Sequence, residues 1–268
     1  MSDTPSFKID VSEKFPHLPE APAVEAVLDF RARPSVDWKE DAVTNHFTKQ
    51  LPKYPNTEPM GALLHTVKFD SKNLPKHVEI ADEGWRGVKM VSECQKQIAQ
   101  FRFDGFAFSR LRPYEDWEEF STEALRLWRL YRDYAQPHDI ARLGLRFINR
   151  IECSLNDLRL EDYLRDCPQP PAGFVGAPFE TYLHQETVIV PGGKYAFKRV
   201  QTIQRPGNQE ERTVGLILDV DVFTTKSRDL NEVDLLKMLP EMRWLKNKVF
   251  FGSLTEEFLK RCIQTNNS

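Results

Sequence analysis

Hydrophobic and polar positions change period several times along the chain, and each change marks an element. From Val24 to Arg33 they alternate strictly, with Ala26, Leu28, Phe30 and Ala32 on one face and Glu25, Asp29, Arg31 and Arg33 on the other. That pattern predicts a half-buried strand, which Pro34 ends. Trp38, Ala42, Val43 and Phe47 then recur at helical spacing and predict a helix over 37–49. Residues 51–60 carry Pro52, Pro55 and Pro59 and read as loop. From Trp85 to Leu111 the pattern is strand-like again, with Phe101, Phe103, Phe106 and Phe108 apolar and Asp104-Gly105 as a hairpin turn.

The strongest periodicity follows. Trp117, Phe120, Ala124, Trp128, Tyr131 and Ala135 predict a helix over 115–135. Its first turn is acidic (Glu115, Asp116, Glu118, Glu119) and its later turns carry Arg126, Arg129 and Arg132, as the helix dipole favours. A strand over 140–152 places Leu143, Leu145, Phe147 and Ile151 on one face, interrupted by Asn149. After a loop with Pro168, Pro170, Pro171 and Pro178, strands are expected at 180–190, 195–204 and 214–224, with Gly192-Gly193 as a turn. Helices over 230–239 and 255–263 close the chain, the last with Ser253 and Glu256 as a capping box.

Strands outnumber helices and fall in runs, which predicts an α+β fold with a largely antiparallel sheet and packed helices. The proline-rich residues 1–22 read as an extended surface segment, 23–166 as an N-terminal α+β half and 179–268 as a C-terminal one. The string Arg31-x-Arg33-Pro34-x-x-Asp37-Trp38-x-Glu40 recurs as Arg110-x-Arg112-Pro113-x-x-Asp116-Trp117-x-Glu119. Both copies fall where a strand hands over to a helix, as two pseudo-symmetric strand–helix units would place them.

Composition narrows the class. The 268 residues are 40% hydrophobic and include 18 Phe, 7 Tyr and 5 Trp, enough for a sizeable core and too many for a disordered chain. A net charge of -3 argues against a dedicated duplex-DNA binder. Cys94, Cys153, Cys167 and Cys262 form neither a CxxC redox motif nor a zinc knuckle. No apolar run is long enough to span a bilayer, and the first residues show no cationic-then-apolar leader, so the expected setting is cytoplasmic without a membrane partner.

Charge is unevenly spread, and this brings in candidate chemistry. Segment 85–112 is basic and segment 192–206 contains Lys194, Lys198, Arg199 and Arg205 with no acid, whereas 113–135 is acidic. Basic strands predict a sheet face able to hold phosphates or an acidic protein surface. Arg142, Arg146 and Arg150 share one strand face and, with Lys198 and Arg199, form the candidate anion-binding set, because guanidinium grips such groups bidentately. The competing reading pairs these arginines with helix acids such as Glu118 and Glu119. Asp219 and Asp221, two apart on one strand face, are the candidate metal carboxylates, joined by Glu25 and Asp29. They belong to an alternative in which a charged β-tunnel or groove hydrolyses phosphates or transfers nucleotides with Mg or Mn. Otherwise no cofactor is expected, and no phosphate loop, GxSxG elbow or HExxH motif is present.

The strings Phe-Ala-Phe-Ser-Arg-Leu-x-Pro-Tyr-x-x-Trp (106–117), Glu-Ala-Leu-Arg-Leu-Trp (123–128), Gly-Leu-Arg-Phe-Ile-Asn-Arg-Ile (144–151), Leu-Asp-Val-Asp-Val-Phe (218–223) and Lys-Asn-x-x-Phe-Phe-x-Ser-Leu-Thr-Glu (246–256) span nearly the whole chain. Together they resemble an uncharacterised, sporadically distributed bacterial family of about this length. The resemblance implies no catalytic residues. Its patchy distribution implies a defence-associated role. The expectation is a non-catalytic binding or sensor protein of a bacterial defence module. A basic sheet face would engage an acidic protein or a nucleic acid, and homo-oligomerisation is the remaining option.

Overall fold

Among the residues that the computed structural model describes (7–69, 75–154, 158–174, 176–177, 179–205, 213–227 and 232–264), nine strands and four α-helices form. They run β1 (Ala23–Arg31), α1 (Glu40–Gln50), β2 (Asn56–Phe69), β3 (Pro75–Val91), β4 (Gln97–Arg102), β5 (Gly105–Leu111), α2 (Trp117–Ala135), β6 (Arg142–Ser154), β7 (Leu183–Ile189), β8 (Tyr195–Gln204), β9 (Thr213–Thr224), α3 (Glu232–Ser253) and α4 (Glu256–Gln264). The strands make one antiparallel sheet in the order β2-β3-β4-β5-β1-β6-β9-β8-β7, so the fold is α+β. Pro178 and Leu230 lie outside the described residues.

Two compact units are interleaved along the chain. The first comprises 1–28, 111–115 and 142–268, the second 29–110 and 116–141. The sequence reading placed a boundary in the proline-rich loop, which lies within the first unit.

In the second unit the aromatic runs meet. Phe30 of β1 stacks on Trp128 of α2 at 4.2 Å, and Phe47 of α1 stacks on Phe101 of β4 at 3.8 Å. Asp116 caps α2 by accepting the Glu119 amide at 2.7 Å, while the equivalent α1 terminus has Lys39 and no side-chain cap. The repeated string therefore does mark two strand-to-helix junctions, but only one of them is capped. Ala42, expected inward, is exposed, whereas Val43 and Phe47 are buried.

In the first unit α3 packs on β9, β6 and β8. Leu235, Met238, Leu239, Met242 and Leu245 of α3 are buried, as are Leu145 and Phe147 of β6 and Leu216, Leu218, Val220 and Val222 of β9. The segment following residue 6 lies along α3. Phe7 meets Trp244 edge-on at 5.9 Å, Phe15 stacks on Phe251 at 5.4 Å, and Glu13 accepts from Trp244 Nε1 and Lys248 Nζ.

Three expectations are corrected. Residues 56–60, read as loop, open β2, an edge strand whose outer side tolerates a proline such as Pro59. The helix expected to stop at 239 runs through Pro240 to Ser253, because packing of its apolar stripe outweighs one missing hydrogen bond. Ser253 is the last residue of α3 and does not cap α4. Thr255 Oγ1 does, accepting the Phe258 amide at 3.2 Å.

Candidate functional site

Strand alternation sorts the first unit's charged residues onto two sheet faces. β6 pairs with β9 so that Arg146 lies opposite Asp221, and β8 pairs with β9 so that Lys198 lies opposite the same residue. Arg142, Arg146, Arg150, Lys198, Asp219 and Asp221 therefore share one face. Arg146 grips Asp219 with Nε at 2.9 Å and Nη2 at 2.6 Å, and Arg142 Nη2 reaches Asp221 at 2.6 Å. Arg150 binds Glu152 and Gln204. The hydrogen bonds that Arg146 donates to Asp219 raise its guanidinium above its usual value, with Glu25 adding to the same field. Burial raises Asp221 above the ordinary carboxylate range, against the pull of Arg142 and Arg146.

Two glycines shape this face. A Cβ at Gly144 would overlap the Arg142 guanidinium, and one at Gly215 would overlap that of Arg150. The bare backbone lets both side chains lie flat on the sheet, Arg142 also stacking over Phe223 at 4.6 Å. Arg142 and Arg146 are thus paired with carboxylates of β9, and Arg150 with Glu152 of its own strand and Gln204 of β8. Lys198 makes no ion pair among the described residues.

Arg199 does not belong with them. The period of two turns it to the opposite face of β8, where it is buried with Nη1 2.9 Å from Ser253 Oγ and 3.1 Å from Asp166. Glu186 Oε1 sits 2.6 Å from Arg199 Nε, but off the N–H direction. Gln201 Nε2 and Tyr182 Oη are also buried with no hydrogen-bond partner among the described residues.

The metal set is not assembled either. Asp219 and Asp221 are taken by arginines, and Asp29 belongs to the second unit, where Arg31 and Arg102 bind it. Among the described residues no group of three or more His, Cys, Asp or Glu side chains is placed to hold a metal ion. Burial raises the Cys153 thiol, which makes it less reactive than a free one.

Sequence reasoning missed a pocket of about 500 Å³ in the first unit, between α3 and the β7–β8 pair. Phe7, Val188, Phe197 and Leu245 line its apolar part, and Asp166, Glu186, Arg199 and Ser253 its polar end. Gly252 was the available signal, a glycine in the last turn of a helix. The second unit has its own pocket, beside a closed clamp in which Tyr54 Oη lies 2.8 Å from Glu123 and Arg126 holds Glu123 with two bonds of 2.7 Å. Burial opposes the Glu123 charge, yet Arg126 and Tyr54 keep its carboxyl below the usual value.

No known family model and no curated protein matches this chain. Among the described residues no helix is long and apolar enough to cross a membrane.

Proposed function

We propose that the protein is a non-catalytic binding module that engages a protein partner by strand addition at β7. The supporting observation is a contrast between the two ends of the sheet. At one end, β2 carries Pro59 and register irregularities near Gly61 and Phe69, devices that discourage further pairing. At the other, β7 pairs in unbroken register with β8 and has no proline or lysine. Its side chains include Leu183 at 70% exposure and Ile189 at 69%. A regular, proline-free edge with exposed apolar side chains at both ends offers backbone donors and acceptors to an incoming strand.

The nucleic-acid form of the reading has less support, since Arg142, Arg146 and Arg150 already serve carboxylates and Gln204. The wider setting, a cytosolic component of a bacterial defence module, rests on the sequence resemblance alone. The test is selection from a library of extended peptides, followed by hydrogen exchange on the bound complexes. Enriched peptides should protect residues 183–189, and the double variant Leu183→Lys/Ile189→Lys should lose them. Enrichment of nothing, or protection confined to the arginine face, overturns the reading.

A further inference from the structure

Gly252 has no conformational reason to be glycine. Its φ is not left-handed, and a Cβ there would meet no atom within 4 Å. Inside a helix glycine costs about 1 kcal/mol relative to alanine. What the missing side chain does is leave open the pocket that Gly252 lines. The pocket's other wall includes Glu186 and Val188, two apart on the same face of β7, the strand that also carries the exposed edge.

Charge at the polar end is unbalanced. Asp166 and Glu186 share the single guanidinium of Arg199, and Lys248, also on the pocket wall, is held by Glu13. Asp166 is 65% exposed and Glu186 33%, so one negative charge in excess faces the mouth. Arg199 is also held by Asp166 and by Ser253 Oγ, so Glu186 is one of three groups that share this guanidinium.

We propose that this pocket is the anchor subsite of the strand-addition surface, selecting a partner segment with a large apolar residue and a basic residue two positions apart. The inference rests on the β7 reading above. A strand added to β7 places alternate side chains on the pocket face. The one beside Val188 enters the apolar cavity, and the one beside Glu186 meets the surplus carboxylate as a cross-strand pair. The volume of about 500 Å³ suits such an anchor.

The probes are short threonine-rich peptides differing at those two positions, Trp-x-Arg, Ala-x-Arg and Trp-x-Glu, measured by calorimetry with hydrogen exchange on β7. Trp-x-Arg should bind roughly tenfold or more tighter than Ala-x-Arg and about fivefold tighter than Trp-x-Glu. Gly252→Leu, which fills the pocket and favours the helix, should erase the Trp preference while residues 183–189 stay protected. Glu186→Gln should erase the Arg preference. Peptides that protect 183–189 but ignore both substitutions overturn the anchor and leave strand addition standing. Peptides that never protect 183–189 overturn both.

Discussion

Arg146 and Asp219 lie on adjacent strands, and the carboxylate is nearly enclosed while the guanidinium is half exposed. Removing the arginine strands a charge that water barely reaches. Arg146→Ala should therefore cost about 2 kcal/mol in urea unfolding, and Arg146→Ala combined with Asp219→Leu should recover most of it. A double variant no more stable than the single one would show that the pair does not act as a unit. Lys246 is the opposite case. Its ammonium lies 4.1 Å over the Phe147 ring, and burial together with Arg243 pushes its pKa down to about 7 from 10.5. Between these values the unfolded chain holds a proton that the folded chain has released, so stability rises with pH across that window and the penalty is present in full below it. Lys246→Met should flatten the rise, read as the urea midpoint at neutral pH and near pH 10. Equal slopes would refute the assignment. Neither residue's behaviour was legible in the sequence. Arg146 stands in the candidate anion-binding set, but its partner is 73 positions away, and no local pattern marks Lys246 for a lowered pKa.

Gly105 shows what an element demands of one position. It opens β5 after the Phe103–Asp104 turn with φ 143°, and a Cβ there would collide with the Phe30 carbonyl. Gly105→Ala should cost of order 3 kcal/mol, and thermal melts would show this directly. A loss under 1 kcal/mol would mean that the hairpin shifts to make room. This turn was visible in the sequence because Asp-Gly between apolar runs is a local signal. So was α2, whose aromatic stripe and acidic first turn agree with each other. The elements that escaped were those in which distant packing overrules a local breaker. Pro59 stands in a strand because β2 is an edge, and Pro240 stands in a helix because α3 covers β9, β6 and β8. The cap of α4 moved from Ser253 to Thr255 because the longer α3 consumed Ser253.

At the scale of the molecule, the N-terminal segment has a structural role that its lack of periodicity concealed. Phe7, Glu13 and Phe15 reach Trp244, Lys248 and Phe251 across more than two hundred residues of chain. Deleting residues 1–15 should lower the melting temperature by about 5 °C or more, with hydrogen exchange accelerated first in α3. An unchanged melting temperature would show that these contacts add nothing to stability. The two units carry separate pockets and separate ion-pair clusters, and the chain passes between them more than once.

The sequence by itself determined the α+β class, most of the strands and the alternation that puts charged side chains on one face of β6 and β9. Those properties depend on period and local chemistry, and both are written in neighbouring residues. Only the tertiary structure decided what the charges do. Strand register turned the Arg142, Arg146, Asp219 and Asp221 string from an anion clamp or a metal site into a set of internal ion pairs. The same register sent Arg199 to the opposite face. It also left β7 as an open edge beside a pocket that no local pattern announces. A charge's role depends on which strand lies beside it, and strand order is a property of the folded chain.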